Sequence, residues 1–440
     1  MEIRSLDQLH SNTFPHVSRI SISAQLTSFP KALFLYTETL EILDLSNNLL
    51  DHVPETIARF KKLRILFLSN NRFTAFPLIL GQCRSLSMIG FKSNAISYIP
   101  EHAFPETLRW LILTDNAVER LPASIGNCRP LEKVALAGNK LSHLPEELSA
   151  CKNLALLRIS ANQFETLPEW LLLMPKLAWL AYSGNPCSVI RKENPLPAIA
   201  WKNLKILETL GEGASGVISK AEITSGEFEG HHTVALKLFK GEVTSDGYPE
   251  DEMKLSSLLP AHNHLVKVLG RISGHPDKKE GLIFELIPAG YRNLGLPPSF
   301  STCSRDTFQE GTAFTLKDIL SVLTAVASVA LRLHEHGIMH GDLYAHNTLI
   351  NDAGHAIFGD FGAATSYAVS SERAKSLERL EIRAFGNMAE DLLNHLHAED
   401  KNSEQVRELL QLKEICLLDE VLLRPDFRHV LEKLEGIKKQ

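Results

Sequence analysis

The stretch HGDLYAHNTLI, His340 to Ile350, decides how the second half of this chain is read. Two positions after the histidine stands Asp342, and Asn347 follows five beyond that. A carboxylate can take up a proton, and a carboxamide oxygen suits a hard cation. Here the two sit at fixed spacing on a segment that runs into an apolar strand-like tail. Gly341 before them, and Tyr344 and His346 between them, give no chemistry by themselves.

Working outward, IFGDFGAAT lies just downstream and carries Asp360-Phe361-Gly362. Far upstream, ILETLGEGASGVISKAEI reads as a strand, a glycine turn and a second strand, with Gly211, Gly213 and Gly216 in the spacing GxGxxG. A dinucleotide-binding turn uses the same spacing, but it opens a helix and is followed about twenty residues later by an acidic residue. Here a β-type run follows instead, and then VALKLFK, an alternating strand that bears Lys237. GLIFELIP reads as a buried strand entering a hinge, EIRAFGNMAEDLL as a buried helix, and LLRPDF closes the series with Arg424-Pro425-Asp426-Phe427. Alone, a lysine in a strand is usually solvated and an Asp-Phe-Gly is usually a turn. Five motifs in order carry more weight.

On these motifs, residues 203–437 resemble a eukaryotic-type protein kinase domain, an α+β fold with a small lobe (203–285) and a large lobe (288–437). The resemblance implies transfer of the γ-phosphate of ATP to a protein hydroxyl, with Mg2+, or Mn2+ in its place. It implies that Leu210, Gly211, Glu212, Gly213, Ala214, Ser215 and Gly216 cover the nucleotide, the glycines letting backbone amides approach the phosphates. Ile218, Ala235 and Leu349 would sandwich the adenine, Phe284 would guard the back of its pocket, and Glu285 and Ile287 would lie on the hinge. Lys237 would pair with the phosphates and be held by Glu252, on a helix whose apolar side carries Leu255 and Leu259. Asp342 would orient the attacking hydroxyl as the base, while Asn347 and Asp360 would hold the metal. His340 reads as a scaffold residue; His346 receives no role.

Three departures bear on the acceptor. The arginine that commonly follows the loop histidine, and helps to receive an activation-loop phosphate, is Gly341. Thr365, Ser366, Ser370, Ser371 and Ser376 remain as hydroxyls in that region. The position two after Asp342 is Tyr344, where serine/threonine kinases place lysine and many tyrosine kinases alanine. Only 21 residues separate Asp360 from Glu381, the residue at the buried-helix aspartate position, and the APE motif that usually partners the RPxF arginine is missing. A serine/threonine protein kinase is the favoured reading. HGDLxxxN is also the form found in small-molecule kinases related to aminoglycoside and choline kinases, and a kinase-fold scaffold is a third possibility.

The first half repeats. LEILDLSNN, LRILFLSNN, LSMIGFKSN, LRWLILTDN, LEKVALAGN, LALLRISAN and LAWLAYSGN begin at Leu40, Leu63, Leu86, Leu108, Leu131, Leu154 and Leu177, 23 residues apart with a single 22. VSRISISAQ at Val17 is a degenerate eighth copy, and an apolar-proline pair follows each unit from Val53-Pro54 to Leu167-Pro168. This is the leucine-rich repeat, and residues 1–187 are expected to form an α/β solenoid, a horseshoe of about eight repeats. Leu43 and Leu45 should point inward, and the Asn of each unit should satisfy backbone groups at the turn. Cys83, Cys128 and Cys151 read as small buried fillers. The outward row includes Ile42, Ile65, Met88 and Leu156, and Phe67, Trp110, Ile112 and Trp179 are candidates for a partner-binding concave face. The same side chains could instead pack only on their neighbours, or hold the chain's own second half. Residues 188–202, polar with two prolines, read as a linker.

Composition agrees with a soluble globular chain. A net charge of −6 argues against nucleic acid or an anionic membrane as the main partner. The opening MEIRSLDQLHSNTF has no apolar run, and LTAVASVALRL is too short to span a bilayer. Six scattered cysteines without a CxxC pair fit a reducing compartment, so a cytoplasmic location is expected.

Overall fold

A computed structural model describes residues 2–11, 16–189, 196–213, 215–225, 232–241, 243–244 and 246–439. The chain divides into two compact units, the first Met1–Lys176 with Asn185–Cys187 and the second Leu177–Gly184 with Ser188–Gln440.

In the first unit, β1 (Glu2–Ile3), β2 (Arg19–Ser21), β3 (Ile42–Asp44), β4 (Ile65–Phe67), β5 (Met88–Gly90), β6 (Trp110–Ile112), β7 (Lys133–Ala135) and β8 (Leu156–Arg158) lie side by side in chain order. Every neighbouring pair is parallel and in one register, so Leu43, Leu66, Ile89, Leu111, Val134 and Leu157 stack as one fully buried row. The return segments hold a five-residue helix, α1 (Leu6–His10), a four-residue helix, α2 (Glu169–Leu172), and otherwise short 3₁₀ turns such as Glu55–Arg59 and Glu146–Ala150. A proline precedes each of those turns and α2, fixing the extended backbone before the turn.

Parallel three-residue strands leave many backbone groups unpaired at their ends, and the asparagines complete them. Asn139 accepts from Val118 N and donates to the carbonyls of Leu113 and Leu136. Asn162 does the same for Leu141, Leu136 and Ile159. Each side chain therefore ties one repeat to the one before it. The residue preceding the ladder Asn is left-handed repeat after repeat: Asn47, Asn70, Ser93, Asp115, Gly138 and Ala161, with φ between 52° and 70°. Glycine accepts that conformation freely; Ala161, at φ 53°, does not.

The outward row is less open than a docking surface would be. Ile65, Met88 and Leu156 are buried, and Phe67, Trp110 and Ile112 are only partly accessible. The register explains part of this. Gly90 sits between Phe67 and Ile112, and a Cβ there would lie 2.7 Å from the Phe67 ring, so the two large side chains fold over the glycine. The Lys133 ammonium lies 4.2 Å from the centre of the Trp110 ring. Cys83, Cys128 and Cys151 are free thiols pushed up by burial to about 11, 12 and 11, which makes them poor nucleophiles.

The second unit contains the strand of the seventh repeat, β9 (Trp179–Ala181). It also contains a six-stranded sheet in the order β10 (Ala198–Ala200), β14 (Val268–Ser273), β15 (Gly281–Glu285), β13 (Thr233–Phe239), β12 (Gly216–Ile223), β11 (Leu204–Glu212). All its pairings are antiparallel except β10 with β14. The linker expectation needs correcting here. Residues 190–195 of it lie outside the described residues, but Ala198–Ala200 forms a sheet strand, and Ile199 joins Ala221, Val234, Leu236, Ile272 and Ile283 in the core. Three residues of alternation are too few to announce a strand.

Helix α3 (Pro249–Ser256) precedes β14. Beyond the sheet come β16 (Arg292–Asn293), α4 (Leu316–Glu335), β17 (Ile338–Met339), β18 (Thr348–Ile350), β19 (Ala356–Phe358), β20 (Thr365–Ser366), α5 (Ala374–Asn394), α6 (Glu404–Cys416) and α7 (Phe427–Lys438). Thr315 and Asp318 form a capping box at the start of α4. The apolar run inside α4 is a core helix, and among the described residues no helix is long and apolar enough to cross a membrane. Helix α5 is buried on most sides, and Gly386 is forced by contact: a Cβ there would come within 2.8 Å of Leu417 and 2.9 Å of Cys416.

Replacing Ala161 by glycine should raise stability by about 0.5–1 kcal/mol, because the relief of left-handed strain exceeds the added chain entropy. Urea unfolding of the full chain measures it; an unchanged or lowered midpoint would show that the strain is not held there.

Candidate active site

Lys237 is at the middle of β13, on the strand face that turns from the sheet toward α3. Its side chain is 7 % exposed, and Nζ lies 2.6 Å from Glu252 Oε1 and 3.3 Å from Asp360 Oδ1. Glu252 is 4 % exposed and projects from the buried side of α3 beside Leu255. Asp360 reaches the same ammonium from 123 residues away in sequence. Its φ of 59° is left-handed, a conformation a non-glycine residue keeps only when its surroundings hold it.

One cation is therefore shared by two anions. Burial alone would lower the Lys237 ammonium, but the charges of Asp360 and Glu252 outweigh it and hold it above the ordinary lysine range. Lys237 in turn holds Asp360 below the usual carboxylate range. Glu252, the more enclosed carboxylate, is pushed up to about 7 by burial against the pull of Lys237.

Asp342 and Asn347 are joined directly. Asn347 Nδ2 donates to Asp342 Oδ2 and to its carbonyl, each at 2.9 Å. Asp342 N donates to His340 Nδ1 at 3.2 Å, and His340, fully buried, meets the Gly359 carbonyl with Nε2 at 3.1 Å. The loop is anchored from below by Glu381 on α5. Its carboxylate accepts from His340 N at 3.2 Å, Gly341 N at 2.7 Å and His334 Nε2 at 2.8 Å. Burial would raise Glu381, but these donors outweigh it and hold it low.

The glycine turn joins β11 to β12, and Ala214 within it lies outside the described residues. At Gly211 and Gly213 a Cβ would meet nothing within 4 Å, so the protein itself does not demand glycine there; the space lies on the outer side. Gly216 differs: a Cβ would lie 2.5 Å from the Leu238 carbonyl. Ser215 is buried, Glu212 binds the Lys240 ammonium at 2.6 Å, and Leu210 and Ile218 stay 48 % and 38 % exposed. Ala235 pairs with Phe284 across β13 and β15, and Ile218 with Lys237 across β12 and β13. Phe284, Ile287 and Leu349 are half-buried and Glu285 is exposed, 3.5 Å from Lys267.

Several residues carry roles that spacing did not reveal. His346, given none, binds Asp306 Oδ1 through Nδ1 at 2.6 Å; burial works to lower it, and the Asp306 bond outweighs that and raises it. Asp306 and Arg305, whose guanidinium grips Asp391 at 2.6 Å, belong to a 288–315 segment with no periodic pattern. Arg424, 1 % exposed, donates to the carbonyls of Leu418 and Arg379, which supplies partners for a residue whose usual acidic one is missing. Trp179, from the outward row, is 1 % exposed and packs inside the second unit: Nε1 donates to the Leu343 carbonyl, and its ring stacks on Tyr344. It is not available to an external partner.

Residues 204–387 match the family model described as protein tyrosine and serine/threonine kinase, and residues 15–73 match the one described as leucine rich repeat. The chain is a leucine-rich-repeat region fused to a kinase domain. Such a domain implies ATP, a divalent cation and a protein substrate, and the repeats imply protein interaction.

Glu381→Gln keeps the side chain's shape and removes its charge. It should lower stability by roughly 2–4 kcal/mol at neutral pH, since charged hydrogen bonds weaken and one acceptor becomes a donor facing amides. Because the folded carboxyl is held low, its contribution is present above the ordinary glutamate range and lost as pH falls through the folded value. Unfolding of both forms between neutral and acid pH should therefore converge; a constant gap would contradict the assignment.

Proposed function

We propose that the chain is an ATP-dependent serine/threonine protein kinase that uses Mg2+ or Mn2+, with the repeats forming a solenoid that recruits or gates the substrate, and that it works in the cytoplasm. The observation that carries this reading is the meeting of Lys237, Glu252 and Asp360 within 3.3 Å. The base Asp342 is tied to the amide of Asn347. The reading takes the kinase domain to begin earlier than residue 203, since β10 is part of its sheet.

The donor set fits the metal. A magnesium ion needs only one or two protein oxygens when phosphates and water supply the rest, so no cluster of three acidic or histidine ligands is required. Asp360 presents a half-exposed carboxylate, and Asn347 turns Nδ2 toward Asp342, leaving Oδ1 as its acceptor. When bound there, the cation would neutralise charge developing on the transferred phosphoryl group.

The protein's own part is alignment. Gly211 and Gly213 have open outer space in which phosphate oxygens can approach backbone amides. Leu210 and Ile218 offer uncovered apolar surface to a planar base, with Ala235 and Leu349 completing it and Phe284 behind. Lys237, fixed by Glu252, lies where the α- and β-phosphates need a cation. Asn347 holds the Asp342 carboxylate through Oδ2, and that carboxylate takes the substrate hydroxyl proton as the hydroxyl oxygen bonds to the γ-phosphorus and the bond to the ADP oxygen breaks. Tyr344 takes no part in phosphate contact; it is 4 % exposed and its hydroxyl is engaged by the Ser304 carbonyl.

A second reading, phosphorylation of a small molecule, draws on the short stretch between Asp360 and Glu381, which limits the platform for a peptide. Incubating the full chain with labelled ATP, Mg2+ and a generic protein substrate tests the proposal. Label should pass to protein, and Asp342→Asn should lower kcat by about a hundredfold or more while leaving nucleotide affinity within about twofold. Turnover unchanged in that variant would remove Asp342 as the base, and label reaching protein in neither form would sink the kinase reading.

A further inference from the structure

We propose that Trp179 is a positioning residue for the catalytic loop, holding the residues just after Asp342 as Glu381 holds those just before it. The proposal rests on the kinase reading for its effect on rate, but its structural part stands on its own. Trp179 lies in β9, which belongs to the same compact unit as the loop. Its indole Nε1 donates to the Leu343 carbonyl at 3.0 Å, and its ring lies on Tyr344 with centroids 4.4 Å apart and planes 7° from parallel. Both aromatic residues are buried, and the Tyr344 hydroxyl is held in turn by the Ser304 carbonyl at 3.0 Å.

Asp342 is thus bracketed on both sides in sequence. Glu381 fixes the amides of His340 and Gly341 just before it, while Trp179 fixes the carbonyl of Leu343 and the ring of Tyr344 just after it. A carboxylate that must meet a hydroxyl within hydrogen-bond reach gains directly from such restraint, because a misplacement of about 1 Å can reduce turnover a hundredfold.

The same strand accounts for the missing arginine. Gly341 has φ +74°, and a Cβ there would lie 2.7 Å from the Leu180 carbonyl and 2.6 Å from that of Ala363. Any side chain at this position collides with β9. Tyr182 N, one residue past the strand, donates to Thr365 Oγ1 at 3.2 Å, and Thr365 is fully buried. Ser366 gives its hydroxyl to the Val189 carbonyl. These two hydroxyls of the segment after Asp360 are therefore engaged by residues that follow β9.

The test uses the full chain as wild type, Trp179→Ala and Trp179→Phe. Initial rates give kcat and the KM for ATP, and hydrogen exchange reports on residues 338–348. Trp179→Ala should lower kcat about tenfold or more, leave KM for ATP within about twofold, and speed exchange at His340 and Gly341. Trp179→Phe keeps a ring for Tyr344 and should recover most of both losses. Should Trp179→Ala fail to fold, Tyr344→Leu removes the stack from the other side and serves the same comparison. Unchanged kcat and unchanged loop exchange in a folded variant would overturn the proposal. If the wild type transfers no phosphate, the kinase reading fails, and the exchange result alone decides whether Trp179 clamps the loop.

Discussion

A single ammonium held between two carboxylates fixes the geometry of the second unit. Lys237 comes from the sheet, Glu252 from a helix of eight residues, and Asp360 from a left-handed residue far down the chain. Removing any one leaves the others buried or half-buried with unbalanced charge, a large penalty in a low-dielectric setting. The shifts agree with one another: lysine held charged, the half-exposed aspartate held low, the enclosed glutamate raised by burial. Opposed shifts at one point are what the proposed phosphate-binding role of Lys237 and metal-binding role of Asp360 would require.

A second centre of restraint lies beneath the loop of Asp342. Glu381 gathers two backbone amides and the His334 ring, and α5 around it is packed so closely that Gly386 cannot carry a Cβ. The pair formed by Asp342 and Asn347 sits above this anchor. In the first unit a comparable economy appears in the asparagine ladder, where one side chain per repeat satisfies the backbone of two. Both are answers to the same constraint: buried backbone groups must find partners, and short strands do not supply them all.

How much of this was legible in the sequence follows from the range of each interaction. The repeat was legible because its period returns the same residue type to the same place, and the inward row Leu43, Leu66 and Ile89 follows from alternation alone. Lys237, Asp342, Asn347 and Asp360 were legible because each lies in a short motif. The meeting of Lys237 with Glu252 rested on helical register, which a residue's slip would have spoiled. By contrast, Trp179 stacks on a residue 165 positions away, His346 pairs with Asp306 across 40, and Ile199 joins a core from a segment that reads as polar connector. Pairings of that kind leave no periodic trace. The outward row of the repeats left two readings open for a related reason: spacing tells which way Phe67 and Ile112 point, but not that Gly90 lets them fold over it.

The central claim is that Lys237 and Asp360 are arranged around one nucleotide–metal site. A structure of the full chain with a non-hydrolysable ATP analogue and Mg2+ tests it most directly. The account predicts the cation at about 2.1 Å from oxygens of Asp360 and Asn347, and Lys237 on the α- and β-phosphates while still paired with Glu252. A nucleotide seated elsewhere, or one bound with the Asp360 carboxylate turned away from the metal, would contradict it.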